Sequence, residues 1–195
     1  MSLATPPIFT GRPLRKLWTG EEFDRVSRSG AFDGQRLELV NSELLEMPPM
    51  NPPHAKAIRV VTYALLRAFP PPAWTLSAQC PMCLGESRPL PDFVVLQGDA
   101  HDIDEHPTTT PLIIEVSDAT LGYDRGEKAT LYAASGLLDY WIVNLNDRCV
   151  EVHRKPVGQN SGDPRYGEIR VYAAAENLSP LAAPDALIRV ADLLP

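Results

Sequence analysis

The chain has 195 residues, of which 44% are hydrophobic and 22% are charged, as in an ordinary globular protein. This length fits a single domain, which we assign to residues 1–195. The net charge of -7 argues against a broad basic surface for nucleic acid, although a local basic groove or a screening metal ion would still permit binding. No apolar stretch approaches the roughly 18 residues that span a membrane. The N-terminus also lacks the apolar core of a secretory signal, so we expect a cytoplasmic protein.

The first part of the sequence predicts a helix capped by Thr19, followed by a hairpin that turns at Asn41 and Ser42. A long helix follows a cluster of prolines. Its apolar residues fall on one face at Ile58, Val61, Leu65, Leu66 and Phe69.

Three strands are predicted next, in "AWTLSAQCPM", "PDFVVLQ" and "LIIEVS". A helix in "RGEKATLYAASG" ends at Gly136, and strands follow in "DYWIVNL", "CVEVHRKP" and "GEIRVYAA". "DALIRVADLLP" predicts a last short strand and turn. The middle of the chain therefore reads helix, three strands, helix, strand. This order predicts an α/β (α+β) fold, with helices packed against a mixed sheet.

The three cysteines do not indicate a metal or redox centre. Cys80 and Cys83 form a CxxC, but a redox CxxC usually opens a helix after a strand, and proline and glycine surround this one. A structural zinc site needs a second pair of ligands, and only Cys149 remains. We expect three reduced thiols.

Two carboxylates stand beside apolar strands. Glu115 follows Leu112–Ile114 inside a strand that is expected to be covered on both faces, where a charge needs a cation, a hydrogen-bond network or a proton. Asp92 directly precedes the strand "FVVL". For Glu115 the ordinary alternative is a strand-end glutamate that faces water or pairs with a structural arginine. For Asp92 the ordinary alternative is an aspartate in a turn.

Lys128 lies near the start of a predicted helix. Asp124 and Glu127 have the spacing of a capping box for a helix that begins near Arg125. A lysine in the first turn gains nothing from the helix dipole, so another group is expected to hold it there. The alternative is a solvated helix residue, which is the usual environment of lysine.

Two carboxylates at the ends of adjacent strands have the ligand chemistry of Mg²⁺, which takes one or two carboxylates and keeps several waters. Such an ion polarises a phosphodiester and lowers the pKa of a bound water. A nearby lysine positions that water or stabilises charge on the phosphorane. Asp92, Glu115 and Lys128 therefore suggest phosphodiester hydrolysis.

At these residues the sequence resembles the PD-(D/E)XK nuclease superfamily, and more narrowly its Uma-type family of bacterial restriction-endonuclease-like proteins. The resemblance covers about residues 36–155 and rests on "LELVNSELLEMPPMNPPH", "PDFVVL", "LIIEVSDAT", "YDRGEKATLYAASGLLDYWIVN" and "VEVHR". It implies an αβββαβ core with a mixed central sheet, an added N-terminal hairpin and a Mg²⁺ (or Mn²⁺) site. Restriction-like cleavage and DNA as the substrate are implied by this resemblance and not by composition.

Carried over by motif, Asp92 is the aspartate of "PD" and Glu115 the acid of "ExK", and the backbone carbonyl of Val116 is a further metal ligand. The chain departs from the superfamily pattern because Ser117 occupies the lysine position of "ExK". In this family the lysine appears in the next helix, where "GEK" supplies Lys128.

Two further site residues are implied. His54 follows "MPPMNPP" at the start of the first core helix, where it would orient a water or contact phosphate, or simply cap the helix. A glutamate of the hairpin, Glu43 or Glu38, would complete the metal site, and we favour Glu43 because it matches the family's "IDGE", which is "VNSE" here.

Three functions compete. The first is a Mg²⁺-dependent DNA endonuclease, which by analogy with the superfamily would act as a homodimer. The second is a catalytically silent nuclease fold that binds or regulates, favoured by the acidic charge and the displaced lysine. The third is a metal hydrolase that acts on a small phosphodiester.

Overall fold

The computed structural model of the protein describes residues 13–195. Residues 1–12, which include most of the segment from which we predicted no secretory signal, lie outside the described part. A mixed sheet of six strands forms the centre of the fold, in the order β3-β4-β5-β6-β7-β8. Its strands are β3 (Trp74–Ala78), β4 (Phe93–Gln97), β5 (Leu112–Ser117), β6 (Asp139–Asn144), β7 (Cys149–Val157) and β8 (Arg165–Ala173).

The six-stranded sheet contains one parallel pair of neighbouring strands. Strand β4 is antiparallel to its neighbours β3 and β5, β5 and β6 are parallel, and β7 is antiparallel to its neighbours β6 and β8. A parallel pair needs a crossover connection, and here a helical segment supplies it. Together with helix α2 (Pro52–Ala68) before β3, this is the predicted αβββαβ core.

Strand β5 is buried on both faces because helices cover the sheet on each side. Its residues Leu112, Ile114 and Val116 belong to the hydrophobic cluster beneath α2. Ile113 packs on the opposite face with Tyr132 of the crossover helix, and by alternation Glu115 points to that face as well. An acidic residue is therefore placed inside the protein, under the crossover helix.

Local capping explains the first two helices. Helix α1 (Gly20–Arg28) begins with a capping box between Thr19 and Glu22, as the sequence predicts. Helix α2 begins after Asn51, whose side chain accepts the amide hydrogen of His54. The apolar face of α2 was predicted correctly except at Leu66, which is 40% exposed.

The hairpin of β1 (Leu37–Val40) and β2 (Glu43–Glu46) turns at Asn41 and Ser42, as predicted. Both turn residues have positive φ values, of 50° and 67°, which matches the twist of a tight hairpin. Backbone hydrogen bonds in both directions join Leu39 to Arg88. The hairpin is thereby fixed beside the segment that leads into β4.

The crossover helix begins earlier than predicted. It runs through α3 (Leu121–Tyr123), a π-helical turn (Asp124–Lys128) and α4 (Ala129–Ala134). The proposed capping box at Asp124 is wrong, because the Asp124 side chain accepts hydrogen bonds from Ser117 and Thr120. Lys128 therefore lies inside the helix and not in its first turn.

The C-terminal part adds a two-stranded sheet of β9 (Asn177–Leu178) and β10 (Ile188–Arg189), and a 3-10 turn at Val190–Leu193. Within the described residues, no helix combines the length and apolarity needed to cross a membrane. The three cysteines are free thiols: Cys80 and Cys83 are half-buried and Cys149 is buried.

Candidate active site

Asp92 and Glu115 are neighbours across two strands. The β4–β5 register pairs Phe93 with Ile114, which places Asp92 directly opposite Glu115. The Asp92 amide donates to Glu115 Oε2 at 3.1 Å, and the Val116 amide donates to Asp92 Oδ2 at 2.9 Å. Both carboxylates are buried, with residue exposures of 5% and 4%. The strand pairing thus brings together the two acids that the sequence analysis singled out.

Lys128 reaches this pair from the crossover helix. Its Nζ donates to Glu115 Oε1 at 2.9 Å, and the residue is 1% exposed. The solvated alternative for this lysine is wrong. The helix carries Lys128 over the face of β5 on which Glu115 lies, so the lysine that contacts Glu115 comes from a different element than Ser117.

Glu38 of strand β1 is the second partner of this lysine. The Lys128 Nζ lies 2.9 Å from the carboxylate of Glu38, a residue that is 1% exposed. The Tyr123 hydroxyl lies 3.5 Å from the same carboxylate. The ammonium group is therefore held between two buried carboxylates from different parts of the fold.

The charges at this site shift the pKa values strongly. Burial raises the pKa of Glu115, and the positive charge of Lys128 opposes this shift and favours the ionised carboxylate. Burial by itself would lower the pKa of Lys128, but Glu115 and Glu38 raise it above its ordinary value. The Tyr132 hydroxyl also donates to Glu115 Oε1, at 2.7 Å. Lys128 therefore remains a fixed positive charge at neutral pH.

His54 lies in the first turn of α2 and contacts the other acid. Its Nε2 is 3.2 Å from Asp92 Oδ1. Partial burial lowers the pKa of His54, but the hydrogen bond and charge of Asp92 outweigh this and raise it. Asn51 orients the helix start, because its side chain caps His54 and donates to Asp118 Oδ2 at 2.5 Å.

A cavity of about 50 Å³ opens onto these groups. The predicted residues that line it are His54, Asp92, Glu115, Val116 and Lys128. The cavity has room for an ion with a few water molecules.

Glu43 is not part of this cavity. It is exposed on β2, and its carboxylate pairs with Arg15 at the surface. The hairpin glutamate that enters the site is Glu38, because the Leu39–Arg88 backbone pairing brings the start of the hairpin, and not its turn, against the site.

A family model described as "Uma2: Putative restriction endonuclease" matches residues 21–191. The chain belongs to the Uma2 family. No curated protein matches the sequence.

The Uma2 chain also matches a solved structure, the crystal structure of a putative nuclease belonging to DUF820 from Anabaena variabilis ATCC 29413. The TM-score is 0.68, and the match covers 90% of this chain and 96% of the other. The sequence identity is 14%, so this likeness establishes the shared fold alone.

The donor set of the Uma2 site is compatible with a hard divalent cation. Among residues 13–195, no group of three or more histidine, cysteine or acidic side chains is arranged as a metal cage. Mg²⁺ needs fewer protein ligands, since it commonly binds one or two carboxylates and keeps its waters. Asp92 and Glu115 present such oxygens at the same cavity.

Sequence reasoning ranked one group of this Uma2 site too low and missed another. Glu38 was considered but ranked below Glu43, and Tyr132 was not considered at all. The signal for Glu38 was its place in the alternating pattern of "LELV", where a charged residue lies among apolar ones. Tyr132 lies four positions after Lys128, which places both on one side of the helix.

Proposed function

We propose that the protein is a metal-dependent endonuclease that hydrolyses phosphodiester bonds of DNA. This proposal rests on the buried Lys128 ammonium, which lies 2.9 Å from Glu115. The backbone amide of Asp92 donates a hydrogen bond to the same glutamate. Two oxygen-donor acids and a fixed cation at one cavity are the groups that phosphodiester hydrolysis requires. Membership of a family described as restriction endonucleases supports the same reaction class.

Asp92 and Glu115, with the backbone carbonyl of Val116, would hold Mg²⁺ or Mn²⁺. When bound, the ion would polarise the phosphodiester and lower the pKa of a coordinated water. The carboxylates around the site outnumber its lysine, which favours a cation there.

The protein's own groups have separate tasks. Lys128 keeps its positive charge at neutral pH, so it stabilises the negative charge that develops on the phosphate. Glu38 holds the Lys128 ammonium in place. His54 lies against Asp92, with its Nε2 3.2 Å from Asp92 Oδ1, and would exchange a proton with a water or phosphate oxygen bound at the site.

The test is titration calorimetry of Mg²⁺ and Mn²⁺, followed by cleavage assays on single-stranded and duplex DNA. Asp92→Asn and Glu115→Gln preserve the shape of the site and should abolish both metal binding and cleavage. Glu43→Gln is the matched control, because that glutamate is exposed outside the cavity, and it should behave like the wild type. Wild-type cleavage by the Asp92 or Glu115 variant would refute the proposal.

One observation favours a second candidate, a nuclease fold that binds nucleic acid without cutting it. Both carboxylate oxygens of Glu115 already accept hydrogen bonds, from Lys128, Tyr132 and the Asp92 amide. A metal ion would have to compete with these donors. DNA binding that is retained while no metal-dependent cleavage occurs would favour this candidate.

A homodimer is a further part of the proposal, by analogy with nucleases that pair two sites. Light scattering of the wild-type protein tests it: a monomer at all concentrations and with bound DNA would exclude the dimer.

A further inference from the structure

A second cavity lies next to the candidate active site. It has a volume of about 550 Å³ and is formed by helix α1, the loop after it and the segment before β4. Arg36 and Leu90 line both this cavity and the site cavity, so the two are contiguous. The site cavity of about 50 Å³ is too small for a nucleotide, whereas the second cavity has the size of an ordinary small-molecule site.

Two phenylalanine rings form part of the wall of the second cavity. The ring centroids of Phe23 and Phe32 are 5.7 Å apart, and Phe32 also lies 6.1 Å from the ring of Trp18. All three side chains are only half-buried. Partly exposed aromatic rings in a concave site are the usual platform on which unpaired nucleobases stack.

The cavity is lined by charges of both signs, namely Asp24, Arg28, Asp33, Arg36 and Arg88. Arg88 is committed to Asp24 through three hydrogen bonds of 2.9 to 3.1 Å, so it contributes little to binding an anion. Asp33 also lines the cavity, and a phosphate near this carboxylate would be repelled. A flat, uncharged ring with hydrogen-bonding edges is tolerated there.

Arg36 lies at the junction of the two cavities and is half-buried. Its Nη1 donates to the Pro48 carbonyl at 3.1 Å, which fixes one side of the guanidinium. Arginine has five N–H donors in a planar fork, so the remaining donors of Arg36 suit a phosphate oxygen.

We infer that the second cavity is a nucleobase subsite, which takes one unpaired base of a substrate strand onto Phe23 and Phe32 while Arg36 binds the adjoining phosphate. This inference rests on the proposed nuclease function. A base inside a duplex is stacked on both sides and cannot enter, so the subsite selects single-stranded DNA or a nucleotide that has left the helix.

The test is the affinity of fluorescein-labelled oligonucleotides by anisotropy in EDTA, which measures binding without cleavage. The wild type should bind a single strand more tightly than the same sequence as a duplex. Phe32→Leu keeps an apolar side chain but removes the ring, and should weaken single-strand binding about tenfold, as loss of one stacked base does. Phe32→Trp should retain the affinity.

Tyr63→Leu is the matched control, because Tyr63 is a 66% exposed aromatic residue on α2 that lines neither cavity. It should leave both affinities unchanged. Thermal unfolding of each variant shows that the fold is intact. Equal single-strand affinity for Phe32→Leu and the wild type would overturn the subsite.

Cleavage measured in parallel with Mg²⁺ separates the two proposals. If the protein cleaves DNA but its single-strand affinity does not depend on Phe32, the subsite is overturned and the nuclease proposal stands. Affinity that depends on Phe32, without cleavage in Mg²⁺ or Mn²⁺, overturns the nuclease and supports the subsite. Neither binding nor cleavage overturns both.

Discussion

The Lys128 ammonium lies 2.9 Å from the carboxylate of Glu38, although 90 positions separate the two residues in the chain. Both residues are 1% exposed, so this is an ion pair inside the protein. Glu115 completes it as a second acceptor of the same ammonium group. The pair joins the N-terminal hairpin to the crossover helix and fixes the charge of the candidate site.

We expect Lys128→Met to destabilise the protein by about 3–5 kcal/mol, because it leaves two buried carboxylates without their counter-charge. Urea unfolding measures the change. Lys56→Met is the control: Lys56 is exposed on α2, and its loss should change the free energy of unfolding by about 0.5 kcal/mol or less. A double variant, Lys128→Met with Glu38→Gln, should lose less stability than the two single changes combined, since they share one interaction. Strict additivity would contradict the ion pair.

Glu151 should make stability depend on pH in the acidic range. Burial would raise its pKa, but His153 and the hydrogen bonds from Arg125 and Asn144 lower it to about 2. Because the folded-state pKa of Glu151 is below its ordinary value of 4.5, this stabilisation is complete above pH 4.5 and disappears as the pH falls toward 2.

The size of this effect should be at most about 2 kcal/mol, since solvent around the half-exposed Arg125 screens the pair. Glu151→Gln should be less stable than the wild type at neutral pH. The free energies of unfolding of the two proteins, measured in urea, should converge as the pH falls. Glu105→Gln, at an exposed position, is the control and should follow the wild type at every pH. A constant difference between Glu151→Gln and the wild type would argue against the assignment.

Asn51→Ala should have two consequences. It removes the N-cap of α2, which costs about 1 kcal/mol, and it breaks the link from Asp118 to the helix turn that carries His54. Asp99→Ala removes the cap of the 3-10 turn Ala100–Asp102, which lines neither cavity, and is the matched control. We expect cleavage to fall in the Asn51 variant and to stay unchanged in the Asp99 variant. Equal cleavage by the two variants would mean that Asn51 has only a capping role.

Mg²⁺ should stabilise the fold, and chelation should reverse this. An ion at one hundred times its dissociation constant raises the free energy of unfolding by about 2.7 kcal/mol. Thermal melts in Mg²⁺ and in EDTA measure the shift, which Asp92→Asn should remove and Glu43→Gln should preserve. A shift of equal size in Asp92→Asn would place the ion elsewhere.

The sequence determined the elements of the fold because their signals are local. The turn at Asn41 and Ser42, the one-sided apolar face of α2 and the apolar run around Glu115 each lie within a few residues. The same local patterns predict that Asp92 and Glu115 lie beside adjacent strands. The β4–β5 register then brings the two acids opposite each other. Motif and strand pattern were therefore sufficient to propose this acid pair.

Only the tertiary structure decided which further groups join these acids. Glu38 and Glu43 lie in one hairpin, and the Leu39–Arg88 pairing, which is a contact between distant segments, brings Glu38 to the site. Asp124 has the spacing of a helix-capping residue, but its side chain instead accepts a hydrogen bond from the hydroxyl of Ser117 in β5. Lys128 resembles a solvated helix residue in sequence, yet it is buried because two carboxylates from separate strands offset the cost of removing its charge from water. That compensation depends on the packing of the hairpin and the crossover helix onto β5, which no local pattern contains.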